Sequence, residues 1–188
     1  PGSSDGLGST ARFNNPSSVA VDASGNIYVA DTFNNTIRKV TPGGYVSTLA
    51  GLAFNSGSID GTTSDARFHF PSGIAVDGSG FIYVADQNNN TLRKVTPAGV
   101  VSILYTFRTL TQKDTGAVPT EALVEGGDGY LYGTTSSNGL NGYGTIFKIL
   151  PGSANTPIRL VDFAGTGTSS KRGSTPSTLI KAKDGQTV

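Results

Sequence analysis

The sequence predicts an all-β fold built from repeated four-stranded antiparallel sheets. Three observations carry this expectation: an internal repeat with an offset of 55 residues, short apolar runs of period two, and turn chemistry at the same place in each repeat. Residues 11–50 and 66–105 align without a gap and share 27 of 40 positions. Asp5-Gly6 and Asp60-Gly61 extend the match backwards. A weaker repeat runs through the second half, where LVEGGDGYLY at 123–132 answers LIKAKDGQTV at 179–188. Asp22, Asp77, Asp128 and Asp184 hold the same phase throughout, each closing an apolar run and opening a glycine-containing turn.

In the first unit the apolar alternation predicts strands near 18–22, 26–30, 36–40 and 45–49. The second unit repeats them at 73–77, 81–85, 91–95 and 100–105, and the third at 121–125, 129–134, 144–149 and 157–163. Asp22-Ala23-Ser24-Gly25 and Asp77-Gly78-Ser79-Gly80 supply the first turn, because aspartate bonds its own backbone and glycine accepts positive φ. Thr41-Pro42-Gly43-Gly44 and Thr96-Pro97-Ala98-Gly99 precede the fourth strand. The third unit carries a polar hairpin over 134–143 with two Asn-Gly pairs, the favoured tight-turn dipeptide. Four short antiparallel strands per unit is the pattern of a β-propeller blade. The expectation is three full blades and the first strand of a fourth, in a ring that is incomplete or completed by another chain. One continuous propeller segment results, with two blades in 1–105 and a different blade type in 106–188. A longer parent polypeptide, or copies pairing through open edges, would close it.

Composition narrows the function. The chain has no Cys, Met or Trp and a single histidine, His69. Disulfides, thiolate metal sites, cysteine nucleophiles and multi-histidine zinc sites within one chain are excluded. Lys and Arg number 14 against 13 acidic residues, so no broad basic field faces nucleic acid or an anionic membrane. Apolar stretches fall far short of the ~20 residues a membrane helix requires.

Residues 11–105 resemble NHL repeats through ARF, P-x-x-V/I-A-V-D, G-x-I-Y-V-A-D and N-N-T-I/L-R-K-V. Residues 104–188 resemble the GloVer-type tandem repeats of secreted bacterial proteins, through DGYLYGTT at 128–135 and GYGTIFK at 142–148. The resemblances imply a propeller, and the second implies an extracellular or cell-surface location.

Candidate residues divide between chemistry and architecture. Asp31 and Asp86 close the second strands and read as caps for the Asn-rich turn, with a channel cation as the alternative. The four phase-marking aspartates read as turn formers, because catalysis requires carboxylates converging within a few ångström. Arg38-Lys39 and Arg93-Lys94 read as residues lying along a strand surface and pairing with the repeat's aspartates; an RNA-binding face is the alternative. Tyr28 and Tyr83 read as packing between blades. Asn34 and Asn89 head glycosylation sequons. Ligand or partner contacts are expected in the irregular loops, at Asp60, Asn138, Asn141 and Tyr143. No catalytic residue, cofactor or metal ligand is assigned. The leading function is a non-enzymatic extracellular scaffold or recognition module for a protein or glycan, self-assembly included. The alternative is part of a propeller lyase or hydrolase with its catalytic residues elsewhere.

Overall fold

The computed structural model describes residues 1–107, 117–137, 139, 142–152, 156–163 and 179. Fourteen strands form three antiparallel sheets. Blade 1 comprises β1 (Gly6–Leu7), β2 (Ser18–Val21), β3 (Ile27–Asp31), β4 (Thr36–Val40) and β5 (Tyr45–Ala50), in the order β1-β5-β4-β3-β2. Blade 2 repeats the order with β6 (Gly61–Thr62), β7 (Pro71–Val76), β8 (Ile82–Asp86), β9 (Thr91–Val95) and β10 (Val100–Thr106). Blade 3 has β11 (Ala117–Glu125), β12 (Leu131–Ser137), β13 (Thr145–Ile149) and β14 (Ile158–Asp162), paired in chain order.

All twelve main strands lie within a few residues of their predicted places. The two-residue strands β1 and β6 are a departure. Each adds a fifth strand to its sheet, pairing Gly6 with Val46 and Gly61 with Val101. Two residues carry no alternation to read, and the partner is some 40 positions away. The expected start of a fourth blade at 179–188, including Asp184, lies outside the described residues apart from Leu179.

The sheets stack through two apolar layers. Tyr28, Ala30, Ile37 and Ala50 of blade 1 meet Phe68, Ile74, Ile82, Val84 and Val95 of blade 2. Ala75, Tyr83, Ala85 and Leu92 of blade 2 meet Leu123, Leu131, Phe147 and Ile149 of blade 3. Each blade buries both faces only by having neighbours, so burial between blades supplies the main driving force.

The phase-marking aspartates close the first turn of their blades. Asp22 Oδ1 accepts the N–H groups of Ser24 and Asn26 at 2.9 Å each, and its Oδ2 accepts the Tyr28 hydroxyl at 3.1 Å. Asp77 does the same with Ser79, Phe81 and Tyr83. Asp128 accepts the Tyr130 N–H and the Tyr132 hydroxyl. The Asn26 side chain, ahead of the other donors, holds the Asp22 carboxyl below its ordinary range. Burial, reinforced by the bond to Asp22, pushes the Tyr28 hydroxyl up to about 12, and Tyr83 is raised in the same way.

Candidate recognition surface

Four charged residues of the repeat, Asp31, Arg38, Asp86 and Arg93, turn inward. Arg38 and Arg93 have fully buried side chains, which corrects the expectation that they lie along a strand surface. Their pairing with the repeat's aspartates does occur. Arg38 donates to Asp31 at 2.9 Å and to Asp5 at 2.6 Å, and Arg93 donates to Asp86 at 2.9 Å and Asp60 at 2.6 Å. The terminal guanidinium nitrogens also reach the carbonyls of Arg12 and Ser4, or of Arg67 and Ile59, while each Nε is left buried without an acceptor among the described residues. Phe13 and Phe68 lie against the two guanidinium groups at 5.1 and 5.2 Å. A guanidinium enclosed in this way presents nothing to a phosphate backbone. Lys39, Lys94 and Lys148 sit over the rings of Tyr28, Phe81 and Tyr130.

Asp31 and Asp86 are saturated. Asp31 also accepts the Asn14 N–H and the Asn34 side-chain amide, each at 2.7 Å, and Asp86 accepts those of His69 and Asn89. The carboxylates therefore cap the Asn-rich turn, as their position predicts. No group of three or more potential metal ligands forms among the described residues. The same bonds engage both sequon asparagines. Asn34 is buried, and its amide nitrogen is taken by Asp31 and the Gly2 carbonyl. Asn89 uses its own on Asp86 and the Gly57 carbonyl. Neither amide is presented for a glycan without breaking the turn. Asp60 is half-engaged in the blade 2 ion pair and also accepts the Ile103 N–H. Tyr143 is half-buried two residues before β13. Asn138 and Asn141 lie outside the described residues.

The second asparagine of the N-N-T motif has a separate task. Asn35 and Asn90 adopt left-handed backbone, at φ 57° and 53°, and end short 3-10 turns. Their side-chain oxygens reach the following blade, where they accept the N–H of Phe70 at 2.9 Å and of Val118 at 3.0 Å. Thr32 adds a hydroxyl bond to the Pro71 carbonyl at 2.8 Å.

Four residues that the repeat does not share gather in one place. Phe33 replaces the position of Asn88, and His69 and Phe70 replace Asn14 and Asn15. Phe33 and Phe70 meet across the junction of blades 1 and 2 with ring centroids 5.2 Å apart. His69 stands edge-on to Phe70 at 5.8 Å, and Asn88 lies 3.4 Å from its Nε2. Phe54, beside them, donates its N–H to the Asn34 carbonyl. Phe33 is 47% exposed and Phe54 66%. Sequence reasoning weighed His69 alone and passed over the two phenylalanines; subtracting one repeat from the other exposes all of them.

Residues 13–40 and 68–95 match the NHL repeat family. The chain carries NHL repeats. The matched segments cover β3 and β4, β8 and β9, and the buried Asp–Arg nodes. NHL repeat-containing protein 2 of Bos taurus is 35% identical over 111 residues, which is 57% of this chain and 15% of that protein. The chain therefore spans a small part of this relative's length. Among solved structures, a streptogramin B lyase superposes over 93% of this chain and 47% of its own, with a TM-score of 0.60 at 18% identity. A chain of the nidogen–laminin complex superposes over 88% and 52%, with a TM-score of 0.61 at 17% identity. At these identities the likeness concerns the β-propeller fold.

Proposed function

We propose that this NHL β-propeller segment is a non-enzymatic recognition module, and that it works outside the cell as a scaffold for a protein or glycan partner. The fold alone does not choose, because it hosts a lyase as well as a component of a protein complex. The carrying observation is the division of labour among side chains. Every charged residue the NHL blades share and bury is ion-paired inside the sheet, whereas the non-repeated Phe33, Phe54, His69 and Asn88 form a surface patch. Exposed aromatic rings beside an amide and an imidazole suit a partner with an apolar face and polar edges. The extracellular assignment rests on the likeness of 128–135 and 142–148 to GloVer-type repeats, which the third blade is proposed to represent.

The chain has no tryptophan, so Phe33→Trp places a sole reporter in the patch. Titration with laminin and with defined oligosaccharides is expected to give a saturable emission shift with one of them, abolished by Phe54→Ser. Absence of any shift, together with turnover of ester or lactone substrates, would replace this reading with the enzymatic one.

A further inference from the structure

Two departures from the repeat meet at the junction of blades 2 and 3, on the rim that carries the first turns. The first is Phe81, which stands where blade 1 has Asn26. In blade 1 the Asn26 side-chain amide donates to Asp22 Oδ2 at 2.8 Å, beside the Tyr28 hydroxyl. Phe81 has no such amide. Among the described residues Asp77 Oδ2 therefore accepts the Tyr83 hydroxyl alone, at 2.8 Å. The second departure is Glu125. It lies opposite Leu131 as Val76 lies opposite Ile82, so the two hold one register position. Val76 packs against the apolar layer between blades 1 and 2. Glu125 brings a carboxylate to the same place one junction later.

A cavity of about 460 Å³ opens between these residues. It is lined by Asp77, Phe81, Tyr83 and Lys94 of blade 2 and by Glu125 and Gly127 of blade 3. Glu125 Oε1 accepts the Gly127 N–H at 2.7 Å, and the Lys94 ammonium stands 3.9 Å from the centre of the Phe81 ring. Burial first, then Asp77, then Glu125 hold the Tyr83 hydroxyl above its ordinary range. Two carboxylates in one wall repel, so packing alone does not account for the exchange of valine for glutamate. The chemistry of the wall selects the ligand. The carboxylates oppose an anion. The ammonium between them opposes a cation, and no group of three or more potential metal ligands forms among the described residues. The polar lining opposes a purely apolar guest. A neutral polyhydroxylated molecule suits it, because hydroxyls donate to carboxylates and accept from lysine while C–H groups meet an aromatic ring.

We propose that this cavity binds a neutral saccharide unit, one hydroxyl of which donates to Asp77 Oδ2 in the place that the Asn26 amide takes on Asp22. Glu125 accepts a second hydroxyl, and Lys94 donates to a third oxygen. The site does not rest on the Phe33 patch. The first turns and the Asn-rich turns lie at opposite ends of the second strand, so the two surfaces are on opposite rims.

The test titrates the full chain with maltose, cellobiose, lactose and N,N′-diacetylchitobiose by calorimetry and follows the Ser79 and Gly127 amides by NMR. At least one saccharide is expected to bind saturably and to move both amides. Gly78→Leu fills the cavity at a position where an added Cβ meets nothing within 4 Å and where blade 1 carries Ala23. It is expected to abolish binding with the unfolding midpoint unchanged. Phe81→Asn restores the blade 1 arrangement and is expected to weaken binding about tenfold or more, as the loss of a hydrogen bond to a charged group implies. Phe54→Ser, in the patch, is expected to leave the titration unchanged. No binding by any of these saccharides overturns the proposal, as does binding that survives Gly78→Leu or is lost with Phe54→Ser. Movement of the same amides by calcium chloride in place of a saccharide also overturns it, by giving the cavity to a cation.

Discussion

Blades 1 and 3 fill the same place in the same sheet by different chemistry. In blade 1, Val29 stands opposite Arg38, and Asp31 stands opposite Thr36. In blade 3, Gly133 stands opposite Phe147, and Thr135 opposite Thr145. A buried arginine becomes a buried phenylalanine, and a buried aspartate becomes a threonine hydroxyl bonded to Thr145 at 3.0 Å. Gly133 makes the exchange possible, because a Cβ there would lie 2.5 Å from the Phe147 ring. The blade therefore does not require the ion pair. It requires a large side chain that fills the place, whether an ion-paired arginine or a phenylalanine. Burial pushes the Asp86 carboxyl up despite the opposing effect of Asn89, the His69 N–H and Arg93, as desolvation of a buried charge predicts.

This comparison can be broken at graded cost. The largest effect is expected from Asp31→Ala, which leaves Arg38 buried with only half its acidic partners. Denaturant unfolding should show a loss of about 3–5 kcal/mol. Thr135→Ala in blade 3 removes a neutral bond at the matching site and should cost about 1 kcal/mol. A loss for Thr135→Ala as large as that for Asp31→Ala would contradict the distinction. Next is Gly133→Val, which gives blade 3 the residue of the NHL blades without their arginine; overpacking against Phe147 should cost about 1–3 kcal/mol. Asn35→Ala, which opens one junction and leaves each sheet intact, should cost about 1 kcal/mol and speed exchange at Phe70.

The smallest effect is a pH limb. The folded Tyr28 hydroxyl is raised above its unfolded value of 10.0 to about 12, so its contribution is complete below pH 10 and lost as pH rises through about 12. Asp22 is lowered, so its contribution is present above 3.8 and lost as pH falls through its folded value. Tyr28→Phe and Tyr83→Phe should flatten the alkaline fall in unfolding midpoint. Tyr132→Phe should change it less, because Tyr132 lies nearer the surface.

Much of this was legible in the sequence. Alternation and turn residues placed the strands, because both signals are local. Asp22 reads as a turn former and Tyr28 as packing between blades, and each has that role, but the hydroxyl bond that joins them was not read. The burial of Arg38 was not legible: its partners Asp5 and Asp31 lie on separate segments, and β1, which brings Asp5 near, is two residues long. Nor did residue type announce the left-handed backbone at position 70, where a phenylalanine stands instead of a glycine or asparagine. The docking role of Asn35 was hidden for the same reason, since its acceptor geometry exists only once a second blade is beside it.

The central claim is that the buried Asp–Arg node is structural filling with no chemistry of its own. It is tested most directly by transplanting the blade 3 solution into blade 2 as Val84→Gly, Asp86→Thr and Arg93→Phe together, and comparing denaturant unfolding with Asp86→Thr alone. The account predicts that the triple variant folds within about 2 kcal/mol of the parent, while the single variant loses about 3–5 kcal/mol. A single variant costing less than about 1 kcal/mol, or a triple variant that does not fold, would contradict it.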